Sequence, residues 1–180
     1  MMIKKISLVA LLSCTLFLAF AGGGNTKKYL KMLPMGRGML YFVKPLDMNT
    51  SAKNITVNSD FTYPFFKDSV QPYMTMNFTV MLDTGIVKFK RVVVKEGNTE
   101  TFSTETMERF YSEPSGKNWT NRYSVNIKLT DLLNMFKKGS VSTIELYFDD
   151  KKVSISLPKK VRKSYSLIAS TIEIGCQGGY

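Results

Sequence analysis

Histidine is absent from the 180-residue chain. That removes the commonest general base and the commonest metal ligand at neutral pH. Cysteine is close to absent: only Cys14 and Cys176 occur, and Cys14 falls in a leader, so one chain can build neither a disulfide framework nor a thiolate cage for a metal. No carboxylates stand at metal-ligand spacing, and no cofactor is expected. Beyond the leader no apolar run approaches the ~20 residues that span a bilayer. A repeated unit of fixed period is also missing, which excludes solenoids and propellers. Acidic groups are in deficit, with Asp+Glu 14 against Lys+Arg 25 and a formal charge of +11. Such an excess favours phosphate, sulfate or carboxylate surfaces as neighbours, without deciding the fold.

What is present begins with export. Lys4 and Lys5 precede an apolar stretch from Ile6 to Phe20, and small residues at Ala19 and Ala21 lead into Gly22-Gly23-Gly24. This layout is that of a secretory signal peptide over 1–21, cut after Ala21. Leu11-Leu12-Ser13-Cys14 also resembles the lipobox of bacterial lipoproteins, and that resemblance implies an alternative in which Cys14 is acylated and holds the protein at an outer membrane. Either route ends outside the cytosol, secreted or periplasmic. Residues 22–35, glycine-rich and basic, read as a flexible N-terminal segment, and 36–176 as a single domain.

Within that domain apolar residues recur with period two. Met74, Met76, Phe78, Val80 and Leu82 alternate with Thr75, Asn77, Thr79 and Met81, the mark of a strand with one buried side. Asp83-Thr84-Gly85 offers a turn, so Pro72 to Glu96 reads as one long hairpin, with a bulge near Arg91 where the apolar phase shifts. Shorter strands are expected at Met39–Val43, closed by Lys44-Pro45, and at Asn54–Tyr63. An edge strand is expected over Thr99–Arg109, and further strands at Tyr123–Leu129, Thr143–Phe148 and Val153–Leu157. Thr130–Gly139 is the one convincing helix, capped by Thr130 and stopped by Gly139. A basic loop from Pro158 to Lys163 then feeds a last strand, Tyr165–Ile174. Eight or nine strands and one crossover helix predict an all-β, two-layer antiparallel β-sandwich of immunoglobulin-like kind, with a closed barrel as the alternative.

Candidate chemistry is sparse. The string Val80-Met81-Leu82-Asp83-Thr84-Gly85 resembles the active-site loop of aspartic proteases. The resemblance implies a water activated by two carboxylates sharing a proton, which here would need Asp83 from two copies. Ser156-Leu157-Pro158-Lys159 matches Ser-x-x-Lys, but a proline at a strand end does not place the pair one helical turn apart. Lys159, Lys160, Arg162 and Lys163, with Lys88, Lys90 and Arg91 on another strand, form a candidate anion-binding patch; the competing reading is solvated lysines that keep edges apart. No aromatic-rich motif interleaves with these lysines, which argues against nucleic acid. Tyr63, Phe65, Phe66 and Tyr73, around a proline-bracketed loop, are candidates to stack on a sugar or a partner. The expectation is an exported, non-enzymatic protein that meets a protein or glycan partner at the cell envelope. The alternatives are an envelope hydrolase at Asp83 and a structural subunit pairing through an edge strand.

Overall fold

The computed structural model describes residues 28–50, 54–66, 69–83, 88–149 and 151–177. The expected signal peptide over 1–21, Cys14 and the residues 84–87 that complete the Asp83 motif lie outside these. Ten strands and two helices follow in the order β1 (Leu30–Met35), β2 (Gly38–Thr50), β3 (Thr56–Phe66), β4 (Tyr73–Leu82), β5 (Phe89–Glu96), β6 (Thr99–Thr104), β7 (Glu108–Ser115), β8 (Asn118–Lys128), α1 (Leu129–Lys137), β9 (Thr143–Phe148), β10 (Lys152–Ser156) and α2 (Lys159–Gln177). All pairings are antiparallel, and they make two sheets. The first runs β1-β2-β3-β4-β8-β7, the second β6-β5-β9-β10, and the end of β2 joins them through Ile155↔Thr50 and Ser156↔Asn49. One strand thus belongs to both layers.

The expected β-rich two-sheet architecture is present, with differences of detail; the edge strand expected over Thr99–Arg109 ends at Thr104 as β6, and Arg109 belongs to β7 of the other sheet. Pro72 to Glu96 is not a hairpin: β4 lies between β3 and β8, β5 between β6 and β9, so the chain crosses from one sheet to the other after Leu82. β5 faces the first sheet across the core, where its Phe89 packs on Tyr123 of β8 at 5.3 Å between ring centres. The bulge expected near Arg91 is found between Phe89 and Arg91. Leu30–Met35, read as the end of a flexible segment, is a strand paired to β2 over its whole length. β2 itself does not stop at Lys44-Pro45 but passes through a register shift between Val43 and Leu46, and a bulge is one of the few places a strand tolerates proline.

The largest difference is α2. Tyr165–Ile174, expected as a strand, lies in a helix, and the expected basic loop is its first turns. Tyr165, Ile168, Ala169, Ile172 and Cys176 are its buried apolar residues, spaced by three and four as a helical stripe demands. The need for it is structural. β10 meets β2 over only two register pairs, so the second sheet leaves part of the first uncovered, and α1 and α2 fill that space. Phe61 of β3 packs edge-on against Phe136 of α1 at 5.7 Å and Tyr165 of α2 at 5.4 Å. Tyr165 Oη also donates to Ser59 Oγ at 3.3 Å, and Cys176 Sγ to Tyr63 Oη at 3.6 Å. Cys176 is therefore an inward-packed thiol, and burial pushes its pKa up. Helix α1 is where the periodicity placed it. It continues straight from β8, Lys128 rather than Thr130 is its N-cap residue, and Leu129 N donates to Pro72 O at 2.8 Å. Gly139 then takes φ +63°, the left-handed turn that ends helices. Among the described residues no helix is long and apolar enough to cross a membrane.

Candidate functional site

The inner side chains of β3, β4 and β8 make the core, so alternation sends the others outward. Register aligns these in four cross-strand rows: Thr56-Met81-Thr120, Asn58-Thr79-Arg122, Asp60-Asn77-Ser124 and Thr62-Thr75-Asn126. All but Met81 are polar, nearly all are short, and Asp60 and Arg122 are the only charged members. Solvated strands more often carry lysine and glutamate, and none occurs in these rows.

Asp60 is only 1% exposed although it stands on the outward side. An uncompensated carboxylate there would cost several kcal/mol. It is compensated on both oxygens: Asn77 Nδ2 donates to Oδ1 at 2.7 Å and Arg122 Nη2 to Oδ2 at 2.6 Å. Arg122 Nη1 donates to Thr79 Oγ1 at 2.8 Å. The guanidinium is thus fixed in one plane with part of its five-donor fork left over, and its side chain is 27% exposed. Thr75 Oγ1 donates to Asn126 Oδ1 at 2.9 Å in the next row but one.

Over Arg122 lies Phe110, whose ring centre is 5.6 Å from the guanidinium carbon. Phe110 is the extra residue of a bulge between Arg109 and Tyr111 in β7, a device that re-aims a side chain. It is 55% exposed, and Tyr111, paired with Arg122, and Tyr73, in phase with Thr75 and Asn77, are exposed as well. These three are the large aromatic side chains left exposed among the described residues, and all lie on this one face. Of the aromatics singled out from sequence, only Tyr73 belongs to it; Tyr63 is buried in the core and Phe65 and Phe66 are half-buried.

The outer side of the second sheet carries a different cluster. Glu145, 5% exposed, accepts from Tyr147 Oη at 2.7 Å and is bracketed by Lys95 Nζ at 2.9 Å and Lys152 Nζ at 3.3 Å. Burial alone would push this carboxyl up, but the hydrogen bonds from Lys95, Tyr147 and Lys152 outweigh it and hold the pKa at about 2. Since the folded value lies below the unfolded one, the stabilisation is full above about pH 4.5 and disappears as pH falls through about 2. At most it amounts to about 3 kcal/mol. Urea unfolding at pH 6 should therefore show Glu145→Gln clearly less stable than the parent, and the gap should close by pH 2. A gap independent of pH would mean that packing, not charge, makes the difference.

The residues proposed for anion binding separate into two groups. Lys159, Lys160, Arg162 and Lys163 form the first turns of α2, at the positive end of its dipole and with no acidic residue there. Lys88, Lys90 and Arg91 are in and beside β5, where Lys90 pairs with Asp149 at 3.0 Å and Arg91 with Glu100 at 2.7 Å. No described contact joins the two groups. Asp83 stands exposed at the end of β4; among the described residues no second carboxylate is bonded to it. A half-open groove of about 420 Å³ separates the β5–β6 hairpin from α1. Its polar lining, Glu96, Thr101, Asp131, Asn134 and Lys138, is exposed throughout, so nothing there converges on a ligand.

No family model, curated protein or solved structure matches the chain.

Proposed function

We propose that this is an exported, non-enzymatic binding module, and that the outer face of β3, β4, β8 and β7 is its contact surface at the cell envelope. One observation carries the reading: a carboxylate buried on the outward side of the sheet is committed to fixing Arg122 beneath an exposed phenylalanine. Core packing asks for no such arrangement, whereas recognition needs polar groups held in place before the ligand arrives. We read the sandwich as immunoglobulin-like, with a sheet surface rather than a cleft carrying the contact. The leader residues Met1 to Ala21 support export.

The alternatives find less support. Aspartyl chemistry at Asp83 would need the same residue from a second copy, and Asp83 stands exposed at the end of β4. Pairing through β7 is discouraged by its bulge, by Pro114 and by Glu108, Arg109 and Glu113 along the edge. β6, rich in threonine, is the less guarded edge.

Envelope fractions of the producing cell should retain the mature chain. Phe110→Ala touches no core residue and should lower that retention at least tenfold, while Lys160→Ala with Lys163→Ala should not. Equal retention by Phe110→Ala and the parent would remove the face from consideration.

A further inference from the structure

We infer that the ligand of this face is a neutral polysaccharide chain; the inference rests on the contact surface proposed above and names what occupies it. Three features of the molecule lead there.

The first is charge. Although the whole chain is strongly basic, the four rows hold one cation and one anion, which neutralise each other at 2.6 Å, and Lys128 beside Tyr73 with Glu108 and Glu113 of β7 extend the face without giving it a net positive charge. A phosphorylated or carboxylated ligand would find a guanidinium already paired, and would gain more from the lysines of α2. An uncharged ligand loses nothing here.

The second is the kind of polar group. Threonine and serine hydroxyls and asparagine amides both donate and accept. That dual character matches sugar hydroxyls, which do the same, and short side chains give up little rotamer freedom when they are covered. The remaining N–H groups of Arg122 add planar donors of fixed direction.

The third is the placement of the aromatics. A protein partner would want a contiguous apolar centre, but in these rows only Met81 is apolar. Tyr73, Phe110 and Tyr111 stand instead at the margins. Tyr73 pairs with Lys128 and Tyr111 with Arg122, so they are separated by six residues along β8, about 20 Å. Flat rings at such a distance suit the apolar C–H faces of well-separated pyranose units in one extended chain. A mono- or disaccharide reaches only one end.

The mature chain should be run by affinity electrophoresis through gels containing laminarin, xylan or galactomannan, and separately heparin or polygalacturonate. At least one neutral polymer should retard it. That retardation should persist in 0.5 M NaCl, weaken at least tenfold in Tyr73→Ala and in Phe110→Ala, and show at least tenfold preference for hexasaccharide over disaccharide as competitor. Retardation by the polyanions alone, lost in salt, would overturn the inference. So would indifference to all three neutral polymers by a protein whose near-ultraviolet spectrum shows it folded. In either case, retention on envelope fractions that still depends on Phe110 would leave the binding face standing with another ligand. Retention insensitive to Phe110 would bring down that reading as well.

Discussion

Truncating Phe61 to alanine is expected to cost about 4 kcal/mol of folding free energy, which against a total of about 5–15 leaves the protein marginal. The side chain is 2% exposed and occupies the place where three elements meet, β3 beneath it and Phe136 of α1 and Tyr165 of α2 set edge-on around it. Two aromatic pairs are lost together with the transfer free energy of the ring. The space cannot close, because β3 is hydrogen-bonded on both sides to β2 and β4 and cannot move toward the helices. Phe61→Leu keeps much of the volume and should cost roughly 1.5 kcal/mol or less. Urea midpoints at constant slope are the measurement. A loss below 1 kcal/mol for the alanine variant would mean that the helices do not press on the first sheet as described.

The second large effect concerns the ion pair on the outer face. Asp60→Ala leaves the guanidinium of Arg122 without its counter-charge and Asn77 Nδ2 without its acceptor, and should cost about 3 kcal/mol. Arg122→Ala strands a carboxylate that water barely reaches, and should cost about the same. The double variant removes both charges, so it should be less destabilised than the two single losses added together, with a coupling of about 2 kcal/mol. Simple additivity would show that the two charges do not depend on one another. The cycle separates folding from recognition as well: a double variant that stays folded but is unable to bind would place the Asp60–Arg122 pair in the contact itself.

The architecture was legible wherever one physical signal dominated. Alternation in β4, β8, β9 and β10 reports a single buried side, and no competing signal interferes. α2 is ambiguous in sequence because Tyr165-Ser-Leu-Ile-Ala-Ser-Thr-Ile satisfies both periods: Tyr165, Ile172 and the pair Ile168-Ala169 make a helical stripe, while the β-branched and aromatic content favours a strand. What decides between them is the uncovered area around Phe61 and Tyr63, a property of the assembled sheets. The crossing between β4 and β5 is hidden for a similar reason, since a turn signal after Leu82 does not say whether the next strand pairs with β4 or joins the other sheet. The candidate face was less legible still. Asp60 and Arg122 are 62 positions apart, and nothing local to either announces the other. One cue was available: Arg109-Phe110-Tyr111 interrupts the apolar-polar rhythm, as a bulge must.

β2 spends its first residues in one layer and its last in the other. Neither layer can melt away and leave its neighbour intact, because the same backbone supplies hydrogen bonds to both. The molecule should therefore lose its structure in one concerted step, with the aromatic signals of Tyr123 and Phe148 and the amide protection of β3 vanishing at the same temperature.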